Sequence, residues 1–237
     1  MVSAFRRIVA LTGVLGTLSI GLAGTPAGLV GTAGAAGGGG CGGAGGGGPT
    51  PGPVQVFASH FSGLDAALAF TSISGTIETD AFVDAFQGQV TLAATGPTPM
   101  NSVFAGITVT DLSNGNQLVE AFGCISNPDF QIDQALTSAM LAPTSIMLVD
   151  LISNNASTVT VSGNWSGVGV VTRVTQASHF HTAGFTTTFD FTGFSRQADA
   201  SGTVTDQELN VSLSAPDFAQ LDKVEAGGVG VCFPGSC

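Results

Sequence analysis

Two histidines and an aspartate in the later part of the chain have the types and spacing best suited to chemistry. His179 and His181 stand two residues apart, so both side chains point to one side of an extended strand. Asp190 follows in the next segment. Imidazole nitrogens and a carboxylate oxygen on one surface are ligands that a divalent metal accepts. His179, His181 and Asp190 therefore form a candidate metal site, to which His60 could add a third nitrogen if the two segments face each other.

A hairpin must bring these residues together. If Ala183 and Gly184 form a two-residue turn, His179 lies opposite Thr188 and Ala177 opposite Asp190. The polar residues then share one face and the apolar residues share the other, so the two strands agree on a single register. The polar set is Arg173, Thr175, His179, His181 and Asp190; the apolar set is Val170, Val174, Phe180, Phe185, Phe189 and Phe191. An ordinary solvated face explains the polar set better than a metal does, because Arg173 repels cations.

Other catalytic patterns are missing from the sequence. The stretch 163–167 resembles a nucleophile elbow, but its serine stands one place late. Asp80 and Asp84 could form a pair of carboxylates such as glycosidases use, but this spacing arises by chance in any acidic chain. We therefore predict no catalytic residue and no cofactor, with a divalent metal at the histidine pair as the alternative.

Composition excludes several classes of function. The chain has 237 residues, of which 43% are apolar and only 9% charged, with 16 Asp and Glu against 5 Lys and Arg. Such an apolar chain is not a disordered acidic tail. An acidic chain also lacks the clustered cations that bind a phosphate backbone, so we expect no nucleic-acid partner.

The N-terminal region predicts export. Arg6 and Arg7 precede an apolar run that ends in small residues near Ala35, which is typical of a signal peptide over residues 1–35. Residues 36–53 are rich in glycine and proline and predict a flexible spacer. Cleavage leaves three cations against 16 carboxylates, a net charge of −13, and no transmembrane anchor. We expect a secreted or cell-surface protein.

Residues 54–237 predict one all-β domain, because apolar and polar residues alternate in many short runs. Clear examples are Val159–Ser166 and Ala105–Thr110, and Asn114-Gly115 predicts a tight hairpin. The apolar run from Ile146 to Ile152 predicts a strand covered on both faces. Helical signals are few: Asn127-Pro128-Asp129 could cap one short turn, and residues 80–88 fit either a helical turn or a loop. The fold class is an antiparallel β-sandwich or a barrel-like sheet.

Two further features bear on the architecture. The stretch 58–61 recurs as 177–180, and 74–80 recurs in shorter form as 201–206, in keeping with a degenerate internal duplication.

An exported protein is also free to form disulfides. The candidates are Cys41, Cys124, Cys232 and Cys237, which allow three pairings.

The segment from Trp165 through Ser178-His179-Phe180 to 196–202 resembles exported bacterial all-β proteins of undefined function. That resemblance implies an extracellular β domain and brings no activity with it. We therefore predict a structural, adhesive or interaction role at the cell surface, with self-association or another partner covering apolar surface left by the sixteen Phe. The alternative is a small extracellular metal protein or enzyme that uses His179 and His181.

Overall fold

The computed structural model describes the backbone of residues 55–92, 96–182 and 185–232, and the side chains of 60–91, 96–179 and 188–229. The predicted signal peptide and spacer lie outside these residues. The described part consists of eleven strands without a helix, and no helix in it is long and apolar enough to cross a membrane. The strands are β1 Gln55–Ser74, β2 Ile77–Leu92, β3 Gly96–Asp111, β4 Asn116–Ser126, β5 Phe130–Ile132, β6 Ser138–Asp150, β7 Ala156–Gly167, β8 Thr172–Thr182, β9 Phe185–Asp206, β10 Val211–Leu213 and β11 Phe218–Cys232.

All strand pairs are antiparallel, which confirms the predicted all-β class. The pairings follow the order β11-β1-β2-β3-β4-β6-β7-β9 and return from β9 to β11, so the sheet curls back on itself in a barrel-like circuit. The weakest junction joins β4 to β6, where Ala121 and Phe122 alone have partners.

Strand β9 organises half of the sheet because it is long enough to hold two neighbours on each edge. Its first half pairs with β8 on one edge and β11 on the other. Its second half pairs with β7 and β10. As a result, β8, β9, β11, β1, β2 and the start of β3 extend together beyond the apolar core as one sheet, which we call the extended sheet.

The core fills the inside of the circuit. Alternate residues of each strand point inward, as Leu64, Ala66 and Leu68 do on β1, and they meet the inward residues of the opposite strands. Trp165 is 3% exposed, and its indole Nε1 donates a hydrogen bond of 2.9 Å to the carbonyl oxygen of Ala67. The aromatic ring that sequence alternation assigned to the interior is therefore fixed there by a polar contact as well.

Three local predictions were wrong. Residues 80–88 belong to strand β2, and Asn127 adopts a positive φ of 56° in a turn, so neither forms a helix. Strand β6 is covered on one face only: Ile146 and Leu148 are buried, whereas Met147 is 67% exposed. The reason is that the circuit has a single interior, and no described layer covers the outside of β6.

The predicted hairpin at Asn114-Gly115 is present between β3 and β4. Gly115 has the positive φ of 75° that the turn requires. Asp111 closes the turn, since its carboxylate accepts hydrogen bonds from Ser113 and Asn114. These contacts account for the polar residues of this loop.

Candidate functional site

The structure pairs β8 with β9 in the register that the sequence predicted. Ala177 lies opposite Asp190, His179 opposite Thr188, and His181 opposite Thr186. His179, His181 and Asp190 therefore share a sheet face, and His179 and Asp190 are both exposed. The turn residues 183 and 184 and the side chain of His181 lie outside the described residues.

A metal at this face would need further ligands. His60 does not face the hairpin from another sheet, because β1 belongs to the same sheet as β8, with β11 and β9 between them. His60 is exposed and lies in line with Gly227 and Asp190 across three strands. Among the side chains that the structure describes, no three His, Cys, Asp or Glu residues come close enough together to hold a metal ion.

The same face gathers every Lys and Arg that follows the predicted signal peptide. Arg173 of β8 and Lys223 of β11 lie on either side of Phe194 of β9, with Arg173 Cζ 5.6 Å and Lys223 Nζ 5.9 Å from the ring centroid. Arg196 lies two residues along β9, and its Nη1 donates to the carbonyl oxygen of Leu136 at 3.3 Å. Lys223 also pairs with Glu225 at 3.1 Å. All three Lys and Arg residues in the described part of this acidic chain therefore lie on this face.

The opposite face of β1, β2 and β11 carries a group of carboxylates that the sequence did not reveal. Asp65 of β1 lies directly opposite Asp222 of β11, and Asp84 of β2 is diagonal to Asp65. We call these three residues the acidic cluster. Asp80 is not part of it, because it stands four residues from Asp84 along β2, about 13 Å away. Its carboxylate accepts a 2.8 Å hydrogen bond from Thr71 Oγ1 instead.

The acidic cluster lies among phenylalanines. Phe86 is opposite Asp65, is 2% exposed, and stacks on Phe61 with ring centroids 5.2 Å apart. Phe104 is opposite Asp84 and contacts Phe82, with centroids 5.5 Å apart. These rings remove water from the neighbouring carboxylates, which makes their charged forms costly.

Burial and mutual repulsion raise the pKa of all three members. Burial raises the pKa of Asp65 well above its usual range, and the charges of Asp84 and Asp222 raise it further. Burial, followed by the charge of Asp222, raises the pKa of Asp84 to about 6. Burial also raises the pKa of Asp222, against the opposing effect of hydrogen bonds from Ser195 and Gln220.

Hydrogen bonds favour only one member in the charged form. Gln220 Nε2 donates to both carboxylate oxygens of Asp222, at 2.9 and 2.7 Å. Asp84 Oδ1, by contrast, is buried without a hydrogen-bond partner. Asp222 is thus the member best suited to carry the charge, whereas Asp84 favours the protonated state below about pH 6 and burial raises the pKa of Asp65 in the same direction. The cluster can hold and release protons, but it does not form a metal site.

Sequence reasoning missed this cluster because its members lie far apart in the chain. A local signal was present: each aspartate follows an inward-facing apolar residue in its strand, as in Leu64-Asp65, Val83-Asp84 and Leu221-Asp222. That pattern places each carboxylate on an outer face. Only the register of β1 with β2 and β11 shows that the three outer positions are neighbours.

Of the four candidate disulfide residues, Cys124 lies in β4. Cys41, Cys237 and the side chain of Cys232 lie outside the described residues. The backbone still limits which disulfides can form. Across the strand ladders Cys124 lies in line with Ala67 of β1, whereas Cys232 lies opposite Gln55, twelve residues along the same strand. Twelve residues of strand span about 40 Å, far beyond the ~6 Å between Cα atoms that a disulfide allows. A Cys124–Cys232 bond within one chain is therefore excluded.

Comparison with known proteins adds no assignment: no family model, no curated protein and no solved structure matches this chain.

Proposed function

We propose that this protein is an exported β domain that acts by contact with other molecules at the cell surface or outside the cell, without catalysis of its own. The observation that carries this proposal is the extended sheet, which presents a broad solvated face. On that face Arg173 and Lys223 flank the ring of Phe194. A sheet that continues past its own core offers contact area that stability alone does not require.

The arrangement of the interior supports the same proposal. Inward side chains from facing strands form one apolar cluster, which includes Leu68, Phe70 and Trp165. Enzymes and small-ligand carriers instead collect convergent polar groups in a concave site. Trp165, the single tryptophan, is buried and so does not offer the exposed ring that a sugar-binding surface uses.

Export is the part of the proposal to test first. We expect an antibody against the β domain to find the protein in the medium or on intact cells, with its N-terminus cleaved near residue 35. The control replaces Arg6 and Arg7 with Glu, which removes the positive start of the signal. Uncleaved protein in the cytoplasm of unmodified cells would refute the proposal.

A second candidate is a metal protein centred on His179 and His181, favoured by the confirmed register that puts both histidines on one face with Asp190. Metal analysis of the purified protein after incubation with zinc, copper or nickel tests it. Stoichiometric metal that disappears in His179→Ala but persists in Thr175→Ala, a change on the same face of β8, would support this candidate. Absence of bound metal in the unmodified protein would end it.

A further inference from the structure

Strand β8 is a long edge strand with one edge unused by the described residues. It pairs with β9 along its whole length, from Thr172 to Thr182, and with no other described strand. Its residues 172–177 and 179 are exposed. Such an edge presents a row of unpaired backbone N–H and C=O groups, which is a template for another strand.

Within the described residues, the opposite border of the extended sheet and the two shortest edge strands differ from this edge. The opposite border of the extended sheet is the start of β3, where Pro97 and Pro99 remove backbone donors. Strands β5 and β10 are also edges, but each has only three residues. Strand β8 has eleven residues without proline, lysine or a carboxylate. Arg173, near one end of the strand, is its one charged residue apart from the histidines, and the remaining length has no proline or carboxylate against edge pairing.

The sequence of β8 matches itself across a two-fold axis. Ala177 is the central residue of the strand, so antiparallel pairing of two copies about Ala177 uses all eleven residues. This register places Val174 opposite Phe180 and Gln176 opposite Ser178, apolar with apolar and polar with polar. The residue at the axis, where two identical side chains meet, is small. These pairs are matched on the face of the even-numbered residues, whereas the other face sets polar residues opposite each other, Thr175 with His179 and Arg173 with His181.

Charge also favours a second copy at this edge. The whole chain carries a net charge of −11, so two copies repel each other over most of their surfaces. Strand β8 lacks acidic residues and carries Arg173. Its nearest carboxylate, Asp190, lies on β9 opposite Ala177 and is therefore two strands from the partner's β8.

From these observations we propose that the protein forms a two-fold dimer in which the β8 strands of two copies pair antiparallel about Ala177, joining their extended sheets. The occupant of the free edge is thus a second copy of this chain. This inference rests on the proposed contact function and gives it a partner.

Covalent trapping at the axis is the direct test. Directly opposed residues of antiparallel strands have Cα atoms about 4.5 to 5.5 Å apart, within the range of a disulfide. We expect Ala177→Cys, with the native cysteines unchanged, to form a covalent dimer under mild oxidation. Thr172→Cys is the matched control on the same strand, because its symmetry mate is ten residues away, about 33 Å. We expect Thr172→Cys to form no covalent dimer through this pair of residues.

The mass in solution supplies the second measurement. We expect the unmodified protein to have twice the mass of one chain by light scattering at high concentration. Ala177→Glu, which sets two carboxylates directly opposite each other, should halve that mass. Thr160→Glu, an exposed position on the doubly paired strand β7, makes the same charge change and should leave the mass doubled.

Two results would overturn the dimer: a single-chain mass at all concentrations, or a dimer that Ala177→Cys does not trap, which would place the interface elsewhere. Both measurements use the purified protein, whether it is isolated from the medium, the cell surface or the cytoplasm. Failure of export and failure of β8 pairing are therefore seen separately.

Discussion

Replacing Asp84 by asparagine should stabilise the protein at neutral pH. Asp84 Oδ1 is buried without a hydrogen-bond partner, and Asp222 repels its charge. Asparagine has nearly the same shape but does not ionise, and its amide group can donate to the carboxylates of Asp65 or Asp222. The substitution therefore removes a destabilising charge while the packing against Phe104 is kept.

The pKa of Asp84 sets the size and the sign of this effect. Its rise from the usual 3.8 to about 6 means that protonation of Asp84 stabilises the folded state by roughly 3 kcal/mol relative to its ionised form, at about 1.4 kcal/mol per pKa unit. Because the folded state holds the proton more tightly than the unfolded state, this stabilisation is fully present below about pH 3.8. It is lost as the pH rises through about 6. We expect Asp84→Asn to gain about 1 to 3 kcal/mol at pH 7.5 and little at pH 4.

Urea unfolding of the parent and the variant at pH 4, 5.5 and 7.5 measures the difference directly. Asp80→Asn is the matched control, since Asp80 lies on the same face of β2 but accepts a hydrogen bond from Thr71. It should not stabilise the protein at pH 7.5. If Asp84→Asn destabilised the protein equally at all three pH values, or kept the pH dependence of the parent, the account of the acidic cluster would be refuted.

Three further predictions concern other parts of the molecule. Burial opposes the charge of Asp133, but hydrogen bonds from Thr137, Ser138 and Ala135 lower its pKa to about 2. The ionised carboxylate therefore stabilises the folded state above about pH 4, and this stabilisation is lost as the pH falls through 2. Asp133→Asn should cost about 1 to 2 kcal/mol at pH 7 and nothing below pH 2 in urea titrations; an equal cost at both would contradict this. Gly106→Ala should cost about 1 to 3 kcal/mol in urea unfolding because its Cβ would overlap the rings of Phe82 and Phe122, and an unchanged midpoint would show that the rings give way. Peptide mapping without reduction should show no Cys124–Cys232 peptide in monomeric protein, and finding one would contradict the strand register.

Local patterns were enough to predict much of the fold. In strand β7, Val159, Val161 and Trp165 are buried, as their alternation with Thr, Ser and Asn requires. The β8–β9 register followed from one turn and two consistent faces, and the structure has the same pairs. These predictions succeeded because neighbours in a hairpin are also neighbours in the sequence, so their pattern is complete within some twenty residues.

Predictions failed where the outcome depends on what packs from elsewhere. The run around Ile146 is apolar on both sides, and its composition does not say that only one side meets a core. Phe82 and Phe86 are four residues apart and so suggested a helical turn or a loop, whereas pairing with β1 and β3 makes the backbone an extended strand. The acidic cluster was missed for the same reason, because β11 joins β1 across most of the chain.

The two faces of the extended sheet bear on how copies of an acidic chain could meet in the proposed dimer. Asp65 and Asp84 face away from the cations and lie among phenylalanine rings, where burial raises the pKa of both carboxyls, that of Asp84 to about 6. The cations lie on the other face, and one of them, Arg173, belongs to β8 itself. Repulsion between two copies is therefore weakest where backbone groups are available for pairing. In the proposed dimer, the two copies would therefore meet at a strand without carboxylates while the rest of their acidic surfaces stay apart.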